Sequence, residues 1–424
     1  MDRPRPTAQQ LAWQEAGFGL FLHFGVNTFI GREHSNGTWH PRNFDPSGLD
    51  AAQWVETAHR AGAGYVVLTA KHHDGFCLWP TRTTAYSVRS SPWRGGRGDV
   101  VGELADACRA AGMPLGVYLS PWDRNAPCYA DPDAYDRFYS EQLAELCTGY
   151  GPLFELWFDG AGSQGRRYDW DRIMTEVDKH QPGAVVFNMG RRTIRWVGNE
   201  AGVAADPCHY AVADADLWAL TSDLAALGGP RYQPPECDVP IRDHWFWQPD
   251  DLDTLKSTQH LLGIWYRSVG LGAGLLLNLA PDRRGLIDDA DQARLFEVVD
   301  ELRRRFVARI PVVLDHAPGE VTARFPHPVD FDHVELREDL LDGQRVDTHE
   351  VLVNGRVVAA GRTIGVRRWH AFAAVTGSRL TVRLDSAEAR LVDVAAFRTG
   401  HETMPALEPQ RDAVDPSKFD PDPD

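Results

Sequence analysis

The chain has no run of 18 consecutive apolar residues, and so no segment long enough to span a bilayer as a helix. Residues 1–15 are polar and lack the charged-then-apolar pattern of a secretory leader, so a cytoplasmic location and no membrane partner are expected. No cluster of Lys or Arg offsets the net charge of −16, which argues against nucleic acid as a partner. The 6 cysteines form no CxxC and no paired spacing, as expected of scattered reduced thiols rather than a disulfide framework or a zinc site. No GxGxxG follows an apolar run, which removes the main argument for a dinucleotide fold, and no cofactor is expected.

What is present is a long, ordinary globular composition. The 424 residues are 43% hydrophobic and 25% charged, enough for a barrel and an accessory domain. The 14 Trp suit sugar faces, but Trp is equally a good core residue. From about residue 18 to 310, short apolar runs alternate with amphipathic helical patterns. Strands are predicted at 19–25, 65–70, 115–119, 154–160, 184–188, 194–198 and 274–279. Helices are predicted at 50–61, 99–111, 134–150, 170–179, 251–268 and 288–309. Leu104, Cys108 and Ala111 show the spacing of one buried helical face. Repeated βα units with continuously apolar strands imply a parallel sheet covered on both faces, and this many strands favour a closed (β/α)8-like barrel.

The pattern changes after Pro311. His333 to Arg337, Val351 to Val353 and Leu380 to Leu384 alternate apolar and polar residues, and Asn354-Gly355 is a two-residue hairpin signal. The expected organisation is a barrel over residues 1–310, an antiparallel β-sandwich over 311–398, and a disordered Pro- and Asp-rich tail over 399–424.

The most informative segment is Phe154-Glu155-Leu156-Trp157-Phe158-Asp159-Gly160. It reads as a buried strand ending in a carboxylate and a glycine, the place where a parallel barrel displays its chemistry. The alternative is that Asp159 caps the next helix. The same arrangement recurs: His23 follows the first strand, with Glu33 and His34 in the loop beyond. Lys71, His72 and His73 follow the second strand, Tyr118 ends the third, and Glu200 follows a later one. A loop then carries Glu236, Arg242 and Trp245.

Several His near strand ends raise the possibility of a metal centre. Adjacent side chains on a strand point to opposite faces, so His72 and His73 do not meet at one ion unless the chain bulges or turns. Neutral imidazoles, aromatic planes and two carboxylates describe a sugar pocket better, and no metal is expected. Sugar hydroxyls need mixed donors and acceptors, and an oxocarbenium-like transition state needs a carboxylate below the anomeric carbon.

These stretches resemble glycoside hydrolase family 29, the retaining α-L-fucosidases. The matching motifs include Phe18 to Phe29, Lys71-His72-His73-Asp74-Gly75-Phe76, Gly116 to Pro121, Glu155 to Gly160 and Arg195 to Glu200. Pro235 to Arg242, Trp245-Phe246-Trp247 and Leu275 to Pro281 follow in order. The Val-Gly-Asn-Glu form and the Pro-Glu-Cys-Asp stretch are similar to the subgroup acting on α-1,3/4-linked fucose in Lewis-type glycans. The C-terminal part resembles that subgroup's galactose-binding-like sandwich.

The resemblance implies a retaining exo-α-L-fucosidase acting on a fucosylated oligosaccharide, with Asp159 as nucleophile. His23, Glu33, His72, His73, Tyr118 and Trp157 would line the fucose pocket, with Trp157 and Trp245 facing the C6 methyl and Arg242 nearby. His34 stands where the family pattern has Trp. Glu200 matches the subgroup's acid/base, whereas other branches would place theirs at Glu236. A barrel glycosidase for another sugar such as an α-galactoside, a metal-dependent barrel hydrolase and an inactive sugar-binding protein are the rival readings.

Overall fold

The computed structural model describes residues 3–163, 165–213 and 229–409. Eight parallel strands form its first part: β1 (Phe18–Leu22), β2 (Tyr65–Lys71), β3 (Leu115–Leu119), β4 (Glu155–Trp157), β5 (Val185–Phe187), β6 (Arg195–Trp196), β7 (Pro235–Pro240) and β8 (Gly274–Asn278). Their hydrogen-bonded order is β5-β4-β3-β2-β1-β8-β7-β6. One parallel bridge between Phe187 and Ile194 joins the two ends, so the barrel is nearly closed. Helices Ala51–Ala61, Val100–Ala111, Pro132–Gly149, Trp170–His180, Thr258–Arg267 and Asp289–Phe306 cover it. Each begins at an Asp or Ser whose side chain accepts a backbone N–H of the first turn.

Alternation along the strands sorts the core in two. Leu20, Leu22, Val66, Leu68, Val117 and Leu119 pack outward beneath the helices. Phe21, Tyr65, Val67, Tyr118, Trp157 and Phe187 fill the barrel interior. Glycine makes that interior possible at two points. A Cβ on Gly19 would lie 2.5 Å from the Tyr65 ring, and one on Gly274 would lie 2.6 Å from the Trp13 ring.

Two expectations for the barrel differ from the structure. Residues 235–238 are not a loop but part of β7, a fully buried barrel strand. Two prolines and two carboxylates hid its period: Cys237 and Val239 face the helical layer, whereas Glu236 and Asp238 occupy the alternate positions. The helix expected from residue 251 starts only at Thr258, because Asp251 is held by Arg242 and Ser257 supplies the cap.

Beyond Pro311 lie β9 (Val313–Ala317), β10 (Glu320–Glu338), β11 (His349–Val353), β12 (Arg356–Gly361), β13 (Arg368–Leu384) and β14 (Leu391–Phe397). They form one antiparallel sheet ordered β9-β10-β13-β11-β12, with β14 on β10. The pairing of β10 with β13 shifts register between Arg324 and Val329 and again between Phe331 and His333. Such irregularities bend a strand, and Val321, Ala323, Val334, Leu336, Val351 and Leu380 share one core. The Asn354-Gly355 turn joins β11 to β12 with φ of 50° and 86°, as its sequence requires.

This sheet is bolted to the barrel by Arg368, which grips Asp206 through two bonds of 3.0 and 2.8 Å, and by Phe306 stacked on Trp369. The expected disordered tail is ordered over residues 399–409. Arg267 donates to the Pro405 carbonyl at 2.7 Å, and Met404 and Leu407 pack on the barrel core. Residues 410–424 lie outside the described residues. All six cysteines are free. Among the described residues no helix is long and apolar enough to cross a membrane.

Candidate active site

The C-terminal ends of the strands open into a cavity of about 570 Å³. Its inner end is lined by His23, Glu33, His34, His72, His73, Trp157, Asp159 and Trp245, with Glu200 and Asp238 on its wall. Most of the residues singled out in the sequence therefore meet in one place, although they come from six separate stretches of chain.

Asp159 follows β4 and is half-buried. Its Oδ1 accepts the Ala161 N–H at 2.8 Å, and its Oδ2 accepts the Tyr118 hydroxyl at 3.0 Å. The first bond is a local turn, not a helix cap: the next helix is capped by Asp169. Burial raises the Asp159 carboxyl above its ordinary value, and the Ala161 and Tyr118 bonds and the nearby His34 partly oppose this. Tyr118 does not line the cavity; it acts on Asp159 from β3.

The histidines have distinct protonation patterns, legible from their partners. Ser120 Oγ donates its single proton to the Trp122 carbonyl at 2.7 Å. It must therefore accept from His73 Nδ1, 2.7 Å away, and His73 Nε2 is left as a lone pair. That lone pair lies 3.6 Å from Asp159 Oδ2. In the same way Asn278 donates to the Trp245 carbonyl and turns its oxygen to His23 Nδ1 at 2.9 Å, leaving His23 Nε2 as an acceptor. His72 Nδ1 lies 3.5 Å from the Asn27 amide nitrogen, whose two protons also face the Glu33 carbonyl at 3.1 Å and Asp74 Oδ2 at 3.5 Å. Burial holds His23 and His73 at about 3 and His72 well below the ordinary histidine value, so all three are neutral near pH 7.

His72 and His73 both face the cavity, contrary to the alternation argument. The pairing of β2 with β3 slips between Thr69 and Lys71, and the chain leaves the strand at Lys71. The two rings then sit on a turn with centroids 4.1 Å apart. Lys71, next to them, is buried and held by Asp123 and Gln142, each at 2.9 Å.

Two expected site residues lie elsewhere. Glu236 is buried beneath Trp157: Tyr65 donates to one of its oxygens at 2.7 Å, and the Trp157 indole to the other at 3.0 Å. Its neighbour Glu155 is pushed well above the ordinary range by burial and by the charge of Glu236, which favours its protonated form. Arg242 is enclosed by Asp251 and Asp291 at 2.6 and 2.9 Å, away from the cavity wall. Sequence position alone put both on the same loop as Trp245, and the unrecognised strand β7 is why that failed.

The sequence reading missed Asp238, two residues along β7 from Glu236. It accepts the Trp196 indole at 2.6 Å, and burial and the charge of Glu200 push it well above the ordinary carboxylate range. Its signal was the period-2 spacing Glu236, Asp238, Pro240. Glu200 sits at the exposed rim on a turn closed by Asn199, whose side chain accepts from Ala201 and donates to the Val203 carbonyl. Glu33 accepts the Trp245 N–H at 3.1 Å and so holds that indole against the cavity.

The outer end of the cavity is built by Asp243, His244, Lys256, His260 and the C-terminal residues Leu407 and Glu408. The Glu408 N–H donates to His260 Nδ1 at 2.8 Å, and Ser257 bonds its carboxylate.

A model of the α-L-fucosidase family matches residues 39–304. The chain belongs to the α-L-fucosidases of glycoside hydrolase family 29. It is 38% identical to α-L-fucosidase 1 of Arabidopsis thaliana over 89% of its own length and 83% of that protein. A glycoside hydrolase 29 family member from an unknown rumen bacterium superposes with a TM-score of 0.85 at 32% identity, covering 98% of this chain and 81% of that one. A GH29 fucosidase of Ruminococcus gnavus, solved in complex with fucose, gives a TM-score of 0.82 at 26% identity, covering 93% of this chain and 95% of that one. The chain is thus an enzyme, a glycoside hydrolase built on the barrel described above.

Proposed function

We propose that this fucosidase works with retention of configuration, that Asp159 is its nucleophile and Glu200 its acid/base, and that it prefers α-1,3/4-linked L-fucose on branched glycans. The observation that carries the reading is the surroundings of Asp159. A carboxylate held by Tyr118 and Ala161 shares one cavity with three neutral imidazoles, of which His23 and His73 present acceptor nitrogens. A sugar hydroxyl both gives and takes a hydrogen bond, so such a set distinguishes one ring's hydroxyl pattern from another.

Asp159 attacks the anomeric carbon as the bond to the leaving sugar breaks, and Glu200 donates its proton to the departing oxygen. Glu200 then takes a proton from the water that attacks the fucosyl-enzyme, releasing fucose and restoring Asp159. Trp157, stacked on Phe187 at 3.9 Å, offers an apolar plane. The cavity continues past this centre toward Lys256, His260 and Leu407, which leaves room for a neighbouring sugar of a branched glycan.

Two measurements test this. Asp159→Asn should lose at least about a hundredfold in kcat while keeping its Tm, since a nucleophile is removed but its volume is not. The linkage preference is tested with a Lewis trisaccharide, the same disaccharide without galactose, and an α-1,2-linked fucoside. The trisaccharide should exceed the others in kcat/KM by about tenfold; equal rates on all three would reject the branched-glycan preference.

A further inference from the structure

Within the pocket, His34, His72 and His73 each offer a ring nitrogen, and these atoms all lie within 4.8 Å of one another. His34 comes from the loop after β1, and its ring lies 6.0 Å from that of His72 and 5.8 Å from that of His73. We infer that these three imidazoles, with Asp159 as a fourth ligand, form a binding site for a divalent transition ion of the zinc class, and that the ion shuts the pocket rather than serving it.

A facing pair of acceptors lies at the centre of this site. His73 Nε2 carries a lone pair, because Ser120 has taken up the proton on the opposite nitrogen. It looks across 3.6 Å at the Asp159 carboxylate. Two acceptors in that position repel unless something electropositive lies between them. A sugar hydroxyl is one such occupant; a cation is the other. The Ser120 bond is also the outer-shell contact that a metal-binding histidine uses to fix its ring.

Ligand chemistry selects the ion. Zinc sits about 2.0–2.1 Å from imidazole nitrogen in a tetrahedral shell whose ligand atoms lie about 3.3 Å apart, so the three nitrogens, within 4.8 Å of one another, and the Asp159 carboxylate close in on the ion by side-chain rotation. Three imidazoles and one carboxylate suit Zn²⁺, Co²⁺, Ni²⁺ or Cu²⁺ and not Mg²⁺ or Ca²⁺, which demand oxygen. His72 loses little in turning its acceptor nitrogen to the ion, because Asn27 has the Asp74 carboxylate as an equally distant alternative, at 3.5 Å. Of the cations that act on His73, Lys71 is matched by Asp123 at 2.9 Å, and Arg124 lies over the Trp122 ring, 5.5 Å from its centroid. An ion held here covers Asp159, so ion and sugar exclude one another.

The experiment uses the full chain, dialysed against chelator and titrated with Co²⁺ as a coloured probe. Wild-type protein should bind one Co²⁺ in the pocket, with the visible absorption of four-coordinate cobalt, and Zn²⁺ should bleach it. Outer-shell partners alone are worth about 10–100-fold in metal affinity, so losing a ligand in His34→Trp or His34→Gln should weaken binding at least that much. His370→Gln, which breaks the buried His349–His370 contact of 2.7 Å in the C-terminal sheet, should leave the absorption unchanged. In turnover of an aryl fucoside, Zn²⁺ should raise KM and spare kcat in wild type. Absence of the absorption in wild type, or its survival in both His34 variants, would overturn the proposal. Binding that is lost in the His34 variants but indifferent to added L-fucose supports the ion site and counts instead against the sugar pocket placed here.

Discussion

The Trp157 indole donates to Glu236 Oε2 at 3.0 Å, and the same carboxylate accepts the Tyr65 hydroxyl at 2.7 Å. With both oxygens hydrogen-bonded inside the barrel, Glu236 supports the pocket floor, and in the mechanism proposed above it donates no proton to substrate. Glu236→Ala should therefore cost about 2–4 kcal/mol of stability, as a buried network loses its acceptor. Aryl and natural fucosides should slow by the same factor, and azide should do nothing. A variant of unchanged Tm whose aryl turnover azide restores would make Glu236 the acid/base.

Glu200→Ala should behave differently. Turnover of a Lewis glycan should fall by about 10²–10⁴, while an aryl fucoside with a low-pKa leaving group, which needs little protonation, should be far less affected. Azide should speed the aryl reaction by replacing the water that Glu200 activates. If both substrates slow equally and azide is inert, attention passes to Asp238, which lies close enough to feel the charge of Glu200.

The Tyr118 bond helps to keep Asp159 ionised. Burial raises the Asp159 carboxyl and this bond opposes the rise. A carboxylate nucleophile loses activity as pH falls through its pKa. Tyr118→Phe should thus move the acidic limb of kcat/KM to higher pH, with the basic limb unmoved. A limb that stays put or moves to lower pH would contradict the role assigned to the hydroxyl.

Leu407 and Glu408 wall the outer end of the cavity although they lie beyond the second domain in sequence. A double variant, Leu407→Ala with Glu408→Ala, should lower kcat/KM on a branched trisaccharide by about tenfold through lost binding energy. An aryl fucoside, which does not reach that end, should be turned over within about twofold of wild type. Parallel losses on both substrates would mean that the segment only stabilises the fold.

Asp332 gives a stability prediction. Its burial pushes the carboxyl up, but bonds from the Thr399 N–H, His333, the Thr399 hydroxyl and the Gly400 N–H outweigh this and hold it at about 2, below the ordinary 3.8. The folded value is the lower one, so the stabilisation is complete above about pH 5 and is lost as pH falls through 3.8 toward 2. That shift corresponds to about 2–3 kcal/mol. Asp332→Asn should lower Tm at pH 7 and flatten the loss of stability in acid. An equal Tm at pH 7 would remove the claim.

Much was legible in the sequence because the strands of a parallel barrel are short apolar runs, and their ends are where polar residues are conspicuous. The sequence by itself determined β1 to β6 and β8, the antiparallel C-terminal region, the Asn354-Gly355 hairpin and the place of Asp159 at the end of β4. Local pattern is enough there, since burial on both faces and turn geometry leave few alternatives. Only the tertiary structure decided the rest. The strand β7 is buried by its neighbours despite two prolines and two carboxylates, so propensity misread it. Whether Glu236 or Glu200 meets the cavity depends on which way each side chain leaves its own stretch of chain, and sequence spacing carries no such direction. The joint facing of His72 and His73 depends on the slipped pairing between Thr69 and Lys71, a relation between two strands. The part of the tail that packs on the barrel does so through contacts to Arg267 and His260, more than a hundred residues away. No local pattern in a Pro- and Asp-rich segment records a partner at that distance.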